Sequence, residues 1–391
     1  MLRSEDPPPP SKSWASLFSP PPPSSHALPL TKPTARIPPF SPHCGQGAGG
    51  AGAGGSEEER RLSQHIRGYQ LNHVAPSFLP CGLTNRSNWC FVNAILQALL
   101  ACPPFYNLMK ALPCHALGLR TTKSSTPMID SVVEFVNEFS PLETMSKNQK
   151  KDKARKKEDL HTGNALEPSY VYRTLLQLES ETFRVVEGRQ EDAEEFLTCV
   201  LNMLSDEMAA LLKLTEEKVE EQEAEAGAGG REWQEVTTRG RSCVTRRVGE
   251  EAALDTPVRQ LALGLCRYSV KAEGGETSAT LQPFFTLQLD IQGEGVGTVE
   301  EALRENFSSE QLDGYICDKT RQEVEASRNL SLEDLPPILV LHLKRFVYDG
   351  TTGGCQKVMK AVEFSVDLEI PREILSVNSK NKYTTKQRQY K

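Results

Sequence analysis

The hydrophobic period of this chain changes once, from helical in its first half to two in its second, and that change limits the architectures open to it. From Asn88 to Ala101 the apolar residues Phe91, Ala94, Ile95, Leu96, Leu99 and Leu100 recur at helical spacing, and Pro103-Pro104 ends the run. The spacing predicts a buried helix with Cys90 at its start. Ile129, Val132, Val133 and Val136 predict a second helix, and Ala193, Phe196, Leu197, Val200, Leu201, Leu204 and Met208 a longer third. Further on, Phe285, Leu287, Leu289 and Ile291 alternate with polar residues, and Val362, Phe364, Val366 and Leu368 do so again. Ile338 to Leu341 leads into Leu343 and Phe346, which reads as a strand buried on both faces at its start. Helices first and strands later is the pattern of an α+β protein, with a helical lobe facing a largely antiparallel sheet. A groove between the lobes is then the natural active site.

At 391 residues there is room for about two domains, or one with tails and insertions. Half of the 26 prolines fall between Pro7 and Pro42, and a Gly/Ala tract follows from Gly45 to Gly55. Such sequence cannot bury enough side chains to offset the entropy of ordering, so residues 1–75 are expected to be disordered, with the fold beginning near Pro76 to Leu83. A solvated tail is the simpler reading of the Pro-rich runs, which also have the composition of polyproline ligands for SH3 or WW domains. Lys147 to Lys157 is a block of positive charge that stays in water, either as an exposed insertion or as a nuclear-import signal. Glu216 to Gly230 is acidic and then Gly/Ala-rich. Flexible insertions are therefore expected near 141–165 and 213–250 of a domain spanning 81–391.

Charge and cysteine usage narrow the function classes. Forty-five basic against 52 acidic residues give a net charge of −7, which argues against a globally basic nucleic-acid binder. No apolar run reaches the ~20 residues of a membrane helix, and the N-terminus lacks the apolar stretch of a signal peptide. The 10 cysteines are irregularly spaced, which points to reduced thiols in a cytoplasmic protein, with the nucleus as a second compartment.

Cys90 carries the chemistry. A cysteine at the first turn of a long apolar helix lies at the positive end of the helix dipole, among backbone N–H groups that lack intrahelical partners. That position favours the thiolate, the form a nucleophile requires. Asn85, five residues earlier in a loop, can turn its amide toward the oxygen of a carbonyl attacked by Cys90, as an oxyanion-hole donor does. On position alone, an ordinary buried cysteine is the simpler reading.

Three motifs, in order, carry a resemblance to a known family. Gly82-Leu83-Thr84-Asn85-Arg86-Ser87-Asn88-Trp89-Cys90-Phe91-Val92-Asn93, continuing as Ala94-Ile95-Leu96-Gln97-Ala98-Leu99, resembles the Cys box of the ubiquitin-specific proteases. Gly188-Arg189-Gln190-Glu191-Asp192-Ala193-Glu194-Glu195-Phe196-Leu197 is similar to the element that opens a thumb helix in that family, and Leu341-His342-Leu343-Lys344-Arg345-Phe346 to a strand of its palm. The resemblance covers about residues 81–377. It implies a papain-like cysteine protease of thumb, palm and fingers that cleaves after the terminal glycine of ubiquitin. Cys90 would be the nucleophile, Asn85 the oxyanion donor, and Gln190 and Asp192 contacts to ubiquitin's C-terminal tail, whose arginines an Asp carboxylate can bind. Capping of the helix that follows explains Gln190 and Asp192 equally well.

The resemblance also marks departures. The family's catalytic histidine sits in a Gly-Gly-His-Tyr-like box well downstream of the Leu-Lys-Arg-Phe strand. None of the seven histidines (His26, His43, His65, His73, His115, His161, His342) lies beyond that strand, and His342 belongs to the strand motif itself. The polar stretch Lys380 to Lys391 is expected to stand in place of the last palm strands, leaving a truncated chain that is not competent alone. The alternative function is a non-catalytic ubiquitin-binding or partner-binding module. The fingers carry Cys266 with Ser269 and Cys317 with Thr320 where relatives hold paired zinc-binding cysteines, so no zinc and no other cofactor is expected. Cys355 reads as a turn thiol.

Overall fold

The computed structural model of the chain describes residues 57–113, 124–139, 163–177, 185–186, 188–220, 234–238, 241–247, 254–272, 277–316, 321–349 and 354–391. Its first half is helical: α1 (Glu57–Gly68), α2 (Cys90–Ala101), α3 (Pro103–Ala111), α4 (Pro127–Asn137), α5 (Ser169–Gln177) and α6 (Ala193–Glu220). The second half holds β1 (Gln234–Thr238), β2 (Arg241–Arg247), α7 (Pro257–Ala262), β3 (Gly264–Ala272), β4 (Thr277–Phe284), β5 (Thr286–Leu289) and α8 (Val299–Asn306). It continues with β6 (Glu310–Leu312), β7 (Ala326–Asp334), β8 (Val340–Leu343), β9 (Phe346–Asp349), β10 (Gly354–Lys357), β11 (Leu368–Glu369), α9 (Ser379–Lys382) and β12 (Gln389–Tyr390). The mixed helix-and-sheet architecture agrees with the α+β expectation. Among the described residues, no single helix is long and apolar enough to cross a membrane.

Helices α2, α4 and α6 form where the apolar spacing places them, and helix ends are capped from different sources. Pro103 and Pro127 occupy the first turns of α3 and α4, where a missing N–H costs nothing. Thr126 makes no side-chain cap on α4. Glu207 on α6 supplies it instead, its carboxylate accepting from Met128 N at 2.9 Å and Ile129 N at 2.8 Å. Burial pushes the Glu207 carboxyl up to about 7, against the pull of those two N–H donors. The helices enclose one apolar cluster, which includes Phe91, Leu96, Phe105, Met109, Ile129, Val136, Phe196, Leu204 and Met208.

A second cluster lies in the sheet half, where Leu289, Ile291, Val296, Leu303, Leu332, Ile370 and Leu375 pack together. The largest sheet runs β1-β2-β4-β3-β7-β6, antiparallel except for the β2 and β4 pair. β5 pairs in parallel with β8 and threads both clusters, with Phe285 just before it in the first and Leu287 and Leu289 in the second. Ile338 N donates to Leu261 O at 3.0 Å, tying the start of β8 to α7 of the helical lobe.

Several expectations are corrected. The fold begins before Pro76, because Leu62 and Ile66 of α1 are buried against α6 and Arg67 donates to Leu212 O at 3.4 Å. Asn107 of α3 then holds the following strap by bonds to Asn72 O and Val74 O at 2.8 and 2.9 Å. The stretch 213–250 contains the end of α6 and the β1–β2 hairpin, whose β-branched Val236, Thr237, Thr238, Val244 and Thr245 suit a pleated ladder. β8 is half-buried rather than buried on both faces, and the chain breaks at Lys344-Arg345 before β9. Val362 to Asp367 is not a strand: within it only Glu363 bridges, to Thr298, and Phe364 and Val366 are 80% and 84% exposed, while Leu368 opens β11. Alternation makes a strand only where a neighbour completes the ladder.

Cys355 lies in β10, paired with Tyr348, and not in a turn. The closing polar stretch is folded in: β12 pairs with β11, Arg388 donates to Ile370 O at 2.6 Å, and Tyr390 donates to Pro336 O at 2.7 Å. Within it Lys382 pairs with Asp334 at the end of β7, and Arg388 with Glu369 of β11. The Pro-rich region and the basic block at 147–157 lie outside the described residues.

Candidate active site

Cys90 is the first residue of α2, and its side chain is exposed. Two successive residues with left-handed backbone, Ser87 (φ 50°) and Asn88 (φ 68°), turn the chain into the helix. Asn tolerates that region well; a serine there stores local strain. Trp89, between the turn and the helix, is buried and stacks on Tyr172 of α5 with centroids 4.5 Å apart and an interplanar angle of 15°. The side chain of Trp89 thus anchors the turn while Cys90 faces outward. The N-cap residue makes no side-chain bond to α2, so the first-turn N–H groups beside Cys90 stay available to an anion.

The loop before the turn is held on both sides. Thr84 N donates to Leu166 O at 2.8 Å. Thr84 O accepts from Asn93 Nδ2 at 3.1 Å, and Tyr172 Oη lies 3.2 Å from the same oxygen. Tyr172 donates to Asn93 Oδ1 at 2.5 Å. Burial pushes the Tyr172 phenol up to about 12, with the Asn93 bond acting in the opposite sense. Asn85, the next residue along, is exposed.

The second loop at the site precedes α6. Asn88 Nδ2 donates to Gly188 O at 3.0 Å, which joins the two loops. Gln190 Nε2 approaches Cys90 Sγ at 3.7 Å, so the structure brings these two sequence-selected residues together. Asp192 caps α6: its Oδ1 accepts from Glu194 N at 2.7 Å, and its carbonyl accepts from Phe196 N at 3.0 Å. The capping reading of Asp192 is thus realised. Glu194 bonds Thr198 at 3.1 Å and also Thr286 of β5, joining the helix start to the sheet lobe. Burial, followed by Asp192, Glu194 and Glu191, raises the Glu195 carboxyl, and burial also raises Glu191 against the pull of Arg189. Glu191, Asp192, Glu194 and Glu195 thus gather carboxyls at the entry to α6, directly after Gln190.

Chemically, the arrangement is an exposed thiol at an uncapped helix start, with an amide donor in contact and a second amide, Asn85, on the preceding loop. Among the described residues no histidine nitrogen is bonded to Sγ. His342 lies on β8 opposite Gln288, and its Nδ1 is buried with no hydrogen-bond partner among the described residues. Sequence reasoning did not single out Tyr172, Asn93 or Asn88. Asn93 lies inside the first motif, one turn past Cys90, while Tyr172 lies 79 residues beyond it, outside all three motifs. Cys266 is buried in the second cluster, where burial pushes its thiol up to about 12, and Cys317 lies outside the described residues. No group of three or more His, Cys, Asp or Glu suited to a metal occurs among the described residues.

Residues 81–391 match the family described as "Ubiquitin carboxyl-terminal hydrolase". The chain is 41% identical over 407 aligned residues to Ubiquitin carboxyl-terminal hydrolase 10 of Gallus gallus, covering 98% of this chain and 51% of the relative. It is 32% identical over 308 residues to Ubiquitin carboxyl-terminal hydrolase 24 of Arabidopsis thaliana, covering 76% of this chain and 53% of that protein. The chain thus spans about half the length of the curated relatives it matches. In fold it resembles the SAGA Ubp8/Sgf11/Sus1/Sgf73 DUB module bound to ubiquitin aldehyde, with a TM-score of 0.51 at 20% identity over 76% of this chain and 53% of the other.

Proposed function

Because this chain belongs to the ubiquitin carboxyl-terminal hydrolase family, we propose that it is a deubiquitinating cysteine protease whose nucleophile is Cys90. The observation that carries the reading is the exposed sulfur at the uncapped start of α2, inside the family-matched region and in contact with Gln190. The Cys90 thiolate adds to the carbonyl of ubiquitin's terminal glycine, forming the S–C bond and placing charge on the carbonyl oxygen. Asn85 and the first-turn N–H groups of α2 receive that oxyanion. Collapse expels the amine of the ubiquitinated protein and leaves a thioester, which water then hydrolyses. Gln190 and the carboxyls around Asp192 line the path of the Arg-containing tail, and the free Asp192 oxygen offers a charge-assisted bond while its Oδ1 caps α6.

Proton transfer to the departing amine requires a general acid, ordinarily a histidine. Among the described residues none is bonded to Sγ, which favours a second reading for these 391 residues alone: capture of ubiquitin with little or no turnover. One assay separates the two. Hydrolysis of a fluorogenic ubiquitin amide is followed beside labelling by a ubiquitin bearing a thiol-reactive C-terminus. Turnover lost in Cys90→Ala supports the protease reading for the chain as it stands, labelling without turnover supports capture, and an unlabelled Cys90 defeats both. The free thiols Cys81, Cys90, Cys102, Cys199 and Cys266 support a cytoplasmic protein, with the nucleus as a second compartment. Partners with SH3 or WW domains on the Pro-rich region complete the proposal.

A further inference from the structure

We propose that Tyr172 and Asn93 are positioning residues for the reaction, forming a one-way hydrogen-bond relay that fixes the Thr84–Asn85 peptide plane and with it the oxyanion donor Asn85. This rests on the reading of Cys90 and Asn85 given above.

The direction of the relay follows from valence. Thr84 O can only accept, so the Asn93 side-chain atom 3.1 Å from it is the amide nitrogen. That leaves Asn93 Oδ1 facing Tyr172, whose hydroxyl has a single proton to give, and the 2.5 Å contact takes it. The 3.2 Å approach of Tyr172 Oη to Thr84 O then needs no second proton. Asn93 is buried, so neither partner is readily replaced by water.

The carbonyl held by this relay belongs to the same planar peptide unit as the N–H of Asn85. Thr84 N is held separately by Leu166 O at 2.8 Å. With both of its backbone polar groups fixed, Thr84 passes a defined plane to Asn85, which is exposed and has a loop with two left-handed residues behind it. An oxyanion donor stabilises the reacting state only when it is aimed before charge develops. The relay supplies that aim from α5 and α2, and Cys90 stands on the same helix as Asn93, one turn away. Tyr172 also stacks on Trp89, so one ring buttresses the turn before Cys90 while its hydroxyl sets the loop before Asn85. Its phenol, at about 12, remains a donor across any working pH.

The test uses two ubiquitin probes on the full chain. Ubiquitin aldehyde forms a reversible hemithioacetal: the S–C bond forms, the thiol proton ends on the former carbonyl oxygen, and that oxygen lies where the oxyanion would. Ubiquitin ending in a bromoethylamide alkylates the sulfur by displacing bromide, with no oxyanion at all. Asn85→Ala should weaken the aldehyde adduct by about a hundredfold. Tyr172→Phe, which keeps the stacked ring, should weaken it at least about tenfold while changing the alkylation rate by less than about twofold. In an Asn85→Ala background, Tyr172→Phe should add less than about twofold, because it acts through Asn85.

Tyr172→Phe with unchanged aldehyde affinity would overturn the relay, and so would losses that multiply in the double variant. Equal loss of both probes would show a merely structural tyrosine and overturn it too. A wild-type chain that reacts with neither probe at Cys90 would instead remove the nucleophile reading on which the relay stands.

Discussion

The helical lobe and the sheet lobe solve the same problem, burying apolar surface, with unequal success. The helical lobe wraps one cluster from α1 to α7, and of the large apolar side chains it leaves exposed among the described residues, Leu176, Val186 and Leu214 are less than half in water and only Val74 is mostly so. Among the described residues the sheet lobe is divided among a six-stranded sheet and three two-stranded ones, and it leaves Met359, Phe364, Val366 and Val377 mostly in water. Helices satisfy their own backbone and need only an apolar stripe, whereas each strand requires a neighbour at its edge. The candidate site is accordingly built on the self-sufficient lobe: Cys90, Asn85, Asn93, Tyr172 and Gln190 all belong to it.

Substitutions can break this contrast. The largest effect is expected at Phe196, fully buried and in edge contact with Phe91 at 5.8 Å. Phe196→Ala should cost about 3–5 kcal/mol by chemical denaturation. A loss under about 1 kcal/mol would show that the helical core is not the main store of stability. Next is Glu207. Its folded pKa, about 7, lies above the ordinary 4.5, so the folded state binds the extra proton. Its contribution is fully present below pH 4.5 and is lost as pH rises through about 7, by roughly 3 kcal/mol in all. Denaturation from pH 4 to 8 should show this slope in the wild type and not in Glu207→Gln; equal slopes would contradict it.

Smaller effects sharpen the comparison. Asp192→Ala removes the cap of α6 and should cost about 1 kcal/mol, read as a lower melting temperature. The same variant should weaken binding of a peptide with the sequence of ubiquitin's C-terminus, and unchanged binding would leave Asp192 as a cap alone. The smallest change is expected in the sheet lobe, where Phe364→Ser should alter stability by less than about 0.5 kcal/mol. A large destabilisation there would mean that this segment is covered in solution.

Legibility in the sequence divides along the same line. The apolar spacing that predicts α2, α4 and α6 is long and self-contained, so those helices stand where it puts them. α1 escapes such a reading because Leu62 and Ile66 are its only aliphatic core residues among charged ones, and only the α6 surface gives them a reason to be helical. β1 and β2 sit beside acidic and Gly/Ala-rich sequence that masks their β-branched runs. The alternation from 362 to 367 fails for the opposite reason, a good local pattern with no ladder to join before β11. At the site, Cys90, Asn85, Gln190 and Asp192 are legible as motifs. Tyr172 is not, since a single tyrosine acquires meaning only from the carbonyl and amide that the fold brings to it.

The most direct test of the central claim treats the full chain with one equivalent of ubiquitin bearing a thiol-reactive C-terminus and maps the adduct by mass spectrometry. Cys81, Cys102, Cys199 and Cys266 serve as internal controls, being partly or wholly buried where Cys90 is exposed. The account expects a single adduct on Cys90 that vanishes in Cys90→Ala. An adduct spread over several cysteines, or one that persists in Cys90→Ala, would contradict it.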